Sequence, residues 1–130
     1  MTAVEAAAFY IGLHLIVLVV LAARVSLART KHQVALGDGG QDSVERRIRA
    51  HGNATEFVPA ALVGLGAMAG LGAPAIAIHA LGGTLLVGRL LHAWGLAKGR
   101  GRTFGRFVGT ILTITVYVCL AGGCIGHALF

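Results

Sequence analysis

Three features of this 130-residue chain point to an all-α membrane protein, a bundle of four transmembrane helices. Apolar residues make up 56% and charged ones 12%, too little polar surface to clothe a soluble domain of this size. The apolar residues gather into four blocks, each near the roughly 20 residues needed to cross about 30 Å of hydrocarbon. The positive charges gather in two loops. The region from Arg24 to His51 holds Arg24, Arg29, Lys31, Arg46, Arg47 and Arg49, and the region from Lys98 to Arg106 holds Lys98, Arg100, Arg102 and Arg106. The turn from Leu71 to Pro74 has no charge, and the terminal segments offer only Glu5 and His127. The positive-inside rule then puts both basic loops in the cytoplasm and both termini outside. Anionic lipid headgroups account for the net charge of +6, so no nucleic-acid partner is expected.

One domain spans 1–130, with helices at about 3–28, 43–69, 75–97 and 103–129. The first is apolar from Ala6 to Ala23. Its start carries Glu5 and no basic segment, which argues against a cleaved signal peptide and for a retained first span. His14 reads as a packed, hydrogen-bonded residue. Gly37-Asp38-Gly39-Gly40 is turn chemistry within the one long loop, which suits a lid over a membrane pocket. The second helix starts at Asp42 or Ser43, where Asp42 and Glu45 have the spacing of a capping box. Pro59 lies inside it and predicts a kink.

Pro74 suits the start of the third helix. Arg89 lies nine residues before Lys98, about 14 Å along the axis. An unpaired arginine at that depth costs about 3 kcal/mol or more. Glu56, similarly deep on the antiparallel neighbour, is the carboxylate placed to pair with it, so a structural Glu56–Arg89 ion pair is predicted. His92, one turn on, would face the same inner pocket. In the fourth helix Gly105 and Gly109, then Gly122 and Gly126, are small-residue pairs four apart, as are Gly66 and Gly70 in the second; all favour close helix approach. Cys119 and Cys124 fall on different faces of one helix and read as buried packing residues rather than a disulfide. No zinc spacing, P-loop or serine-nucleophile motif occurs, and no metal is expected.

The stretch from Val44 to Pro59, VERRIRAHGNATEFVP, organises the rest. Arg46, Arg49, Asn53 and Glu56 recur at steps of three and four and share a helix face, with Arg47, His51 and Thr55 beside them. Asn53 and Glu56 lie ten or more residues inside the helix, too deep for a merely solvated first turn. Intramembrane polar groups of this kind mark functional sites.

That stretch resembles the signature of the MAPEG family, the membrane-associated proteins in eicosanoid and glutathione metabolism. The pattern Arg-Ala-x-x-Asn-x-x-Glu-x-x-Pro appears here as Arg49, Ala50, Asn53, Glu56 and Pro59. VALGDGG before the second helix and GRLLHAWGL in the third resemble the short bacterial branch, so the likeness runs over essentially the whole chain. It implies a homotrimer in a bacterial inner membrane, with periplasmic termini and glutathione held as co-substrate between subunits at the cytoplasmic side. Arginines suit its carboxylates through bidentate bonds.

By motif position, Arg49 and Asn53 would hold the peptide, Glu56 would face its amino group or lock Arg89, and His92 would line the pocket. Arg29, or alternatively Arg24, matches a basic position at the inner end of the first helix. Arg106 matches the arginine that stabilises the glutathione thiolate in catalytic members. Three positions depart from the eicosanoid-forming relatives. Leu96 stands where several have a pocket tyrosine, Phe107 where the prostaglandin synthase branch has serine, and Gly52 where that branch has a further arginine.

The resemblance therefore implies a glutathione transferase or peroxidase acting on hydrophobic electrophiles from the bilayer. The alternative is a non-catalytic glutathione- or lipid-binding protein of the same fold. A small multidrug exporter is also a basic chain of four short spans. That class needs a membrane-embedded carboxylate in its first helix, where this chain has only Glu5 at the outer edge.

Overall fold

The computed structural model describes residues 1–99 and 101–130; Arg100, counted above in the second basic loop, lies outside the described residues. Four helices follow one another: α1 (Ala3–His32), α2 (Asp42–Gly70), α3 (Ala75–Lys98) and α4 (Phe104–Leu129). α1, α3 and α4 are long and apolar enough to cross a membrane. α2 matches them in length, but the arginine-rich stretch occupies its first half. The antiparallel order brings the end of α1, the start of α2, the end of α3 and the start of α4 to one basic end. α2 and α3 each touch all the other helices, whereas α1 and α4 do not meet among the described residues.

The helix termini follow local chemistry. Thr2 and Glu5 form a reciprocal capping box at the start of α1, with Glu5 N–H donating to Thr2 Oγ1 and Thr2 N–H to Glu5 Oε2. α1 runs one turn past its expected end at residue 28. Arg29, Lys31 and His32 complement the negative end of the helix dipole, so the change of composition does not end the helix. Left-handed Gln33 closes it, and the Val34 amide donates to the Arg29 carbonyl. Gly37, Gly39 and Gly40 all have positive φ in the loop that follows. Arg29 Nε ties that loop down by donating to the Gly37 carbonyl at 3.0 Å.

The capping box expected at Asp42 and Glu45 does not form as such. Gln41 occupies the N-cap without a side-chain cap bond, and Asp42 is already the first helical residue, 3.9 Å from Arg46. α2 then runs unbroken through Pro59. Two residues before the proline, the Phe57 carbonyl accepts a hydrogen bond from the Tyr117 hydroxyl of α4.

Two apolar clusters fill the bundle. One, toward the turn at 71–74, contains Leu65, Met68, Ile78, Leu85, Val116 and Leu120. The other, toward the basic end, contains Leu21, Ala50, Ala54, Val58, Ala93 and Leu96. Large apolar residues such as Ile16, Val20, Ile114 and Val118 point outward, as a lipid-facing surface requires.

The glycine pairs divide in two. A Cβ on Gly109 would lie 2.5 Å from the Gly88 carbonyl oxygen and 2.7 Å from the His92 amide nitrogen, and one on Gly105 would lie 2.6 Å from the Leu91 carbonyl oxygen. Gly105 and Gly109 therefore let α3 and α4 touch through their backbones. A Cβ added to Gly66, Gly70, Gly122 or Gly126 would meet no described atom within 4 Å, so these pairs make no close helix contact among the described residues. The cysteine reading also needs correction: Cys119 is exposed and Cys124 only half-buried, its Sγ 3.5 Å from the Gly64 carbonyl.

Candidate functional site

Arg89 is only 3% exposed, although it sits mid-helix in an apolar span. Its Nη1 donates to Asn53 Oδ1 at 2.8 Å and its Nη2 to the Gly109 carbonyl at 3.4 Å. The guanidinium carbon lies 5.6 Å from the centroid of the Phe57 ring, a cation–π distance. Thr113 of α4 donates to the same Gly109 carbonyl at 2.8 Å, so α2, α3 and α4 meet in one buried polar layer.

The predicted Glu56–Arg89 ion pair is therefore replaced by Asn53–Arg89. The buried face of α2 is centred on Ala50, Ala54, Val58 and Ala61. Glu56 lies on nearly the opposite side of the helix and is exposed. Asn53, on the flank, is the polar residue that reaches inward, and its amide oxygen is taken by Arg89. Equal depth was a poor guide to pairing because it ignored azimuth around the axis.

Arg49 shares the outward side with Glu56. The two are seven residues apart, hence about 20° apart in azimuth and about 10 Å apart along the axis. Both are exposed, and neither makes a hydrogen bond or ion pair among the described residues.

A groove of about 350 Å³ opens beside this face, lined by Glu45, Arg46, Arg49, Leu96, Gly99 and Arg106. Arg106 also borders a second cavity of about 520 Å³ with His92, Arg102, Thr103 and Phe107. Arg106 thus links the predicted residues Arg49 and His92 across the α3–α4 hairpin. Its Nη1 donates to the Gly101 carbonyl at 2.9 Å.

Thr103, which motif reasoning left out, fixes this arrangement. It caps α4 by accepting from the Arg106 amide, and its hydroxyl donates to the Gly95 carbonyl of α3 at 2.9 Å. A threonine three residues before Arg106 at a helix start was the available signal. Arg106 stands in the first turn of α4, where a cation opposes the helix dipole, and Arg46, Arg47 and Arg49 in the second turn of α2, after Asp42 and Glu45 in its first. Both N-terminal dipoles and the arginines together make this end attractive to anions.

Arg29 is not brought to the groove; it holds the loop after α1. Arg24 borders a separate cavity with Arg46 and Arg47. Among the described residues, no three His, Cys, Asp or Glu side chains come together as metal ligands.

The MAPEG family model matches residues 7–126 of this sequence. The chain belongs to the MAPEG family. Similar to it are two proteins named inner membrane protein YecN, from Escherichia coli strain K12 and from Escherichia coli O6:H1. Each is 39% identical over 88 residues, covering 68% of this chain and 67% of the relative. No solved structure matches it. In this MAPEG protein the signature divides its labour: Asn53 faces inward to Arg89, while Arg49 and Glu56 face outward.

Proposed function

We propose that this protein is a membrane-bound glutathione transferase or peroxidase acting on hydrophobic electrophiles, with glutathione held beside α2 at the cytoplasmic end. The observation that carries this reading is the pair Arg49 and Glu56, exposed on one face of α2 and without a hydrogen bond or ion pair among the described residues. An exposed carboxylate at the depth of Glu56 is unfavourable against lipid. An ammonium group would relieve Glu56, and a carboxylate would engage Arg49 through a fork of N–H bonds. Glutathione carries both groups. A face open to the side also favours a homotrimer, in which a neighbouring copy would close the site and bring its own Arg29 region. The names of the relatives support a bacterial inner membrane for this chain as well. Its basic loops would then lie in the cytoplasm and its termini in the periplasm.

The chemistry assigned to Arg106 is electrostatic. A guanidinium beside the sulfur favours the thiolate, and the dipole at the start of α4 adds to it. The thiol proton leaves to water in the open groove. The thiolate sulfur then attacks the electrophilic carbon, a C–S bond forms, and the leaving group departs with its electron pair. With a hydroperoxide the thiolate would instead attack the O–O bond, forming a sulfenic acid and an alkoxide that takes a proton from water; the thiol of a second glutathione would then form the disulfide and release water. Leu96 favours the second reading, a protein that binds glutathione or lipid without turnover, because it lines the groove and offers no hydroxyl.

The test is thermal stabilisation by glutathione together with conjugation of a model electrophile, in wild type, Arg49→Ala and Arg106→Ala. Ligand that binds only the folded state raises the melting temperature, so binding is visible without chemistry. Expected are lost stabilisation in Arg49→Ala, and retained stabilisation in Arg106→Ala with turnover down by about a hundredfold, as when one charge-stabilising donor is removed. If millimolar glutathione neither stabilises the wild type nor reacts, the assignment is wrong. Stabilisation without conjugation or peroxide reduction would select the binding-only reading.

A further inference from the structure

The groove beside Arg49 leaves unexplained a different basic site, on the other side of the bundle. Between the end of α1, the start of α2 and the end of α3 lies a cavity of about 160 Å³ whose polar lining is Arg24, Ser43, Arg46 and Arg47. Two of these arginines are held in place. Arg47 Nη1 donates to the Ser43 carbonyl at 2.7 Å, and Arg46 lies 3.9 Å from Asp42. The second contact is part-exposed and monodentate, the kind of ion pair that contributes little and is readily exchanged for a ligand. Three arginines against one cavity wall, with no carboxylate among its lining residues, is a site for an anion of more than one oxygen.

The cavity does not end at the arginines. Leu21, Arg24, Ala93 and Ala97 also border an apolar groove of about 300 Å³ between α1 and α3. Ile16, Val17, Val20, Leu90 and Trp94 continue that groove away from the basic end. Its α1 wall from Ile16 to Arg24 is about 12 Å long at the rise of a helix. Ala93 and Ala97 keep the junction open, since their small side chains fill little of it. Trp94 is half-exposed, with the Lys98 ammonium 3.9 Å from its ring centroid. That pairing is typical of the membrane–water interface, so the arginine pocket sits at headgroup depth and the groove below it at acyl-chain depth. A soluble anion would use the arginines and leave the groove unused.

We infer that each subunit holds one anionic phospholipid, its phosphate among Arg24, Arg46 and Arg47 and an acyl chain along the α1–α3 groove. The site is distinct from the glutathione groove except at Arg46, which borders both, and it does not depend on the glutathione reading. The lipid would brace α1 against α3.

Native mass spectrometry and thermal melting of the full-length protein in mild detergent test it. Four additions are compared: phosphatidylglycerol, phosphatidylcholine of the same acyl chains, inorganic phosphate and glycerol phosphate. Expected are retained phosphatidylglycerol adducts and a raised melting temperature with that lipid, and neither with the other three. Arg24→Gln/Arg47→Gln should weaken lipid binding roughly twenty-fivefold, from about fivefold per cationic side chain near a charged headgroup. Ala97→Phe, at an exposed position that need not disturb folding, should cut lipid retention with the charge unchanged. It keeps the test decisive if the double variant fails to fold. Equal retention of phosphatidylcholine, equal protection by inorganic phosphate or glycerol phosphate, or undiminished lipid binding in Ala97→Phe would each overturn the inference.

Discussion

The seam between α3 and α4 and the outward face of α2 are built from similar materials and meet opposite fates. Both carry arginine and small residues within a largely apolar bundle. In the seam, Gly88, Gly95, Gly105 and Gly109 bring backbones into contact, and Arg89 is enclosed by Asn53, Phe57 and the Gly109 carbonyl. On the outward face of α2, Arg49 and Glu56 find no partner among the described residues, and a Cβ on Gly66 or Gly70 would meet no described atom within 4 Å. Arg89 finds two acceptors inside the bundle, although its buried Nε has no partner among the described residues. Arg49, by contrast, is exposed and can be reached from outside the chain.

The largest effect should come from filling the seam. Gly109→Val places a side chain against backbone atoms of Gly88 and His92 that cannot move aside. A loss of about 3 kcal/mol or more is expected, at the upper end for overpacking. It should appear as loss of a cooperative melt in detergent; near-wild-type melting would mean that the two helices are not in backbone contact.

Arg89→Met and Asn53→Ala, singly and together, come next. A double-mutant cycle read by thermal or denaturant unfolding should give a coupling of about 1.5–3 kcal/mol, the range for a hydrogen bond to a charged group. The same cycle between Arg89 and Glu56 should give a coupling near zero. A strong Arg89–Glu56 coupling would restore the ion pair that helix depth suggested and undo the contrast between the two regions.

The smallest loss of folding stability is expected at Glu56→Gln, which should leave the ligand-free protein no more than about 0.5 kcal/mol less stable than wild type, as for other surface substitutions. It should still weaken glutathione stabilisation by about fivefold to tenfold. A large loss of stability without ligand would show that Glu56 is already engaged inside the protein.

The four helices were legible because hydrophobic block length and turn residues are local properties. Pro74, Gly37 to Gly40 and Thr103 stand where chain direction changes, and the helices end close to them. Less local features follow other rules. The capping box at Asp42 fails because Gln41 takes the cap, while a box does form at Thr2 and Glu5. Gly88 and Gly95 were not singled out because they are seven apart rather than four, although each completes the α3–α4 contact. In the candidate site, Arg49, His92 and Arg106 border a pair of cavities that share Arg106. Arg29 donates to a loop carbonyl instead, a contact that a motif position does not foretell.

Composition and periodicity suffice to make this chain a bundle of spanning helices with its cations at one end, since a bilayer tolerates little else. They also suffice to place arginine, asparagine and glutamate together on one length of α2. Which of them turns inward was decided by packing. The alanine face of α2 turns into the bundle and α3 lies near enough for Arg89 to reach Asn53 on its flank, and this leaves Glu56 and Arg49 outside. Steps of three and four along a helix place residues together on its surface; only the neighbouring helix determines which part of that surface becomes interior.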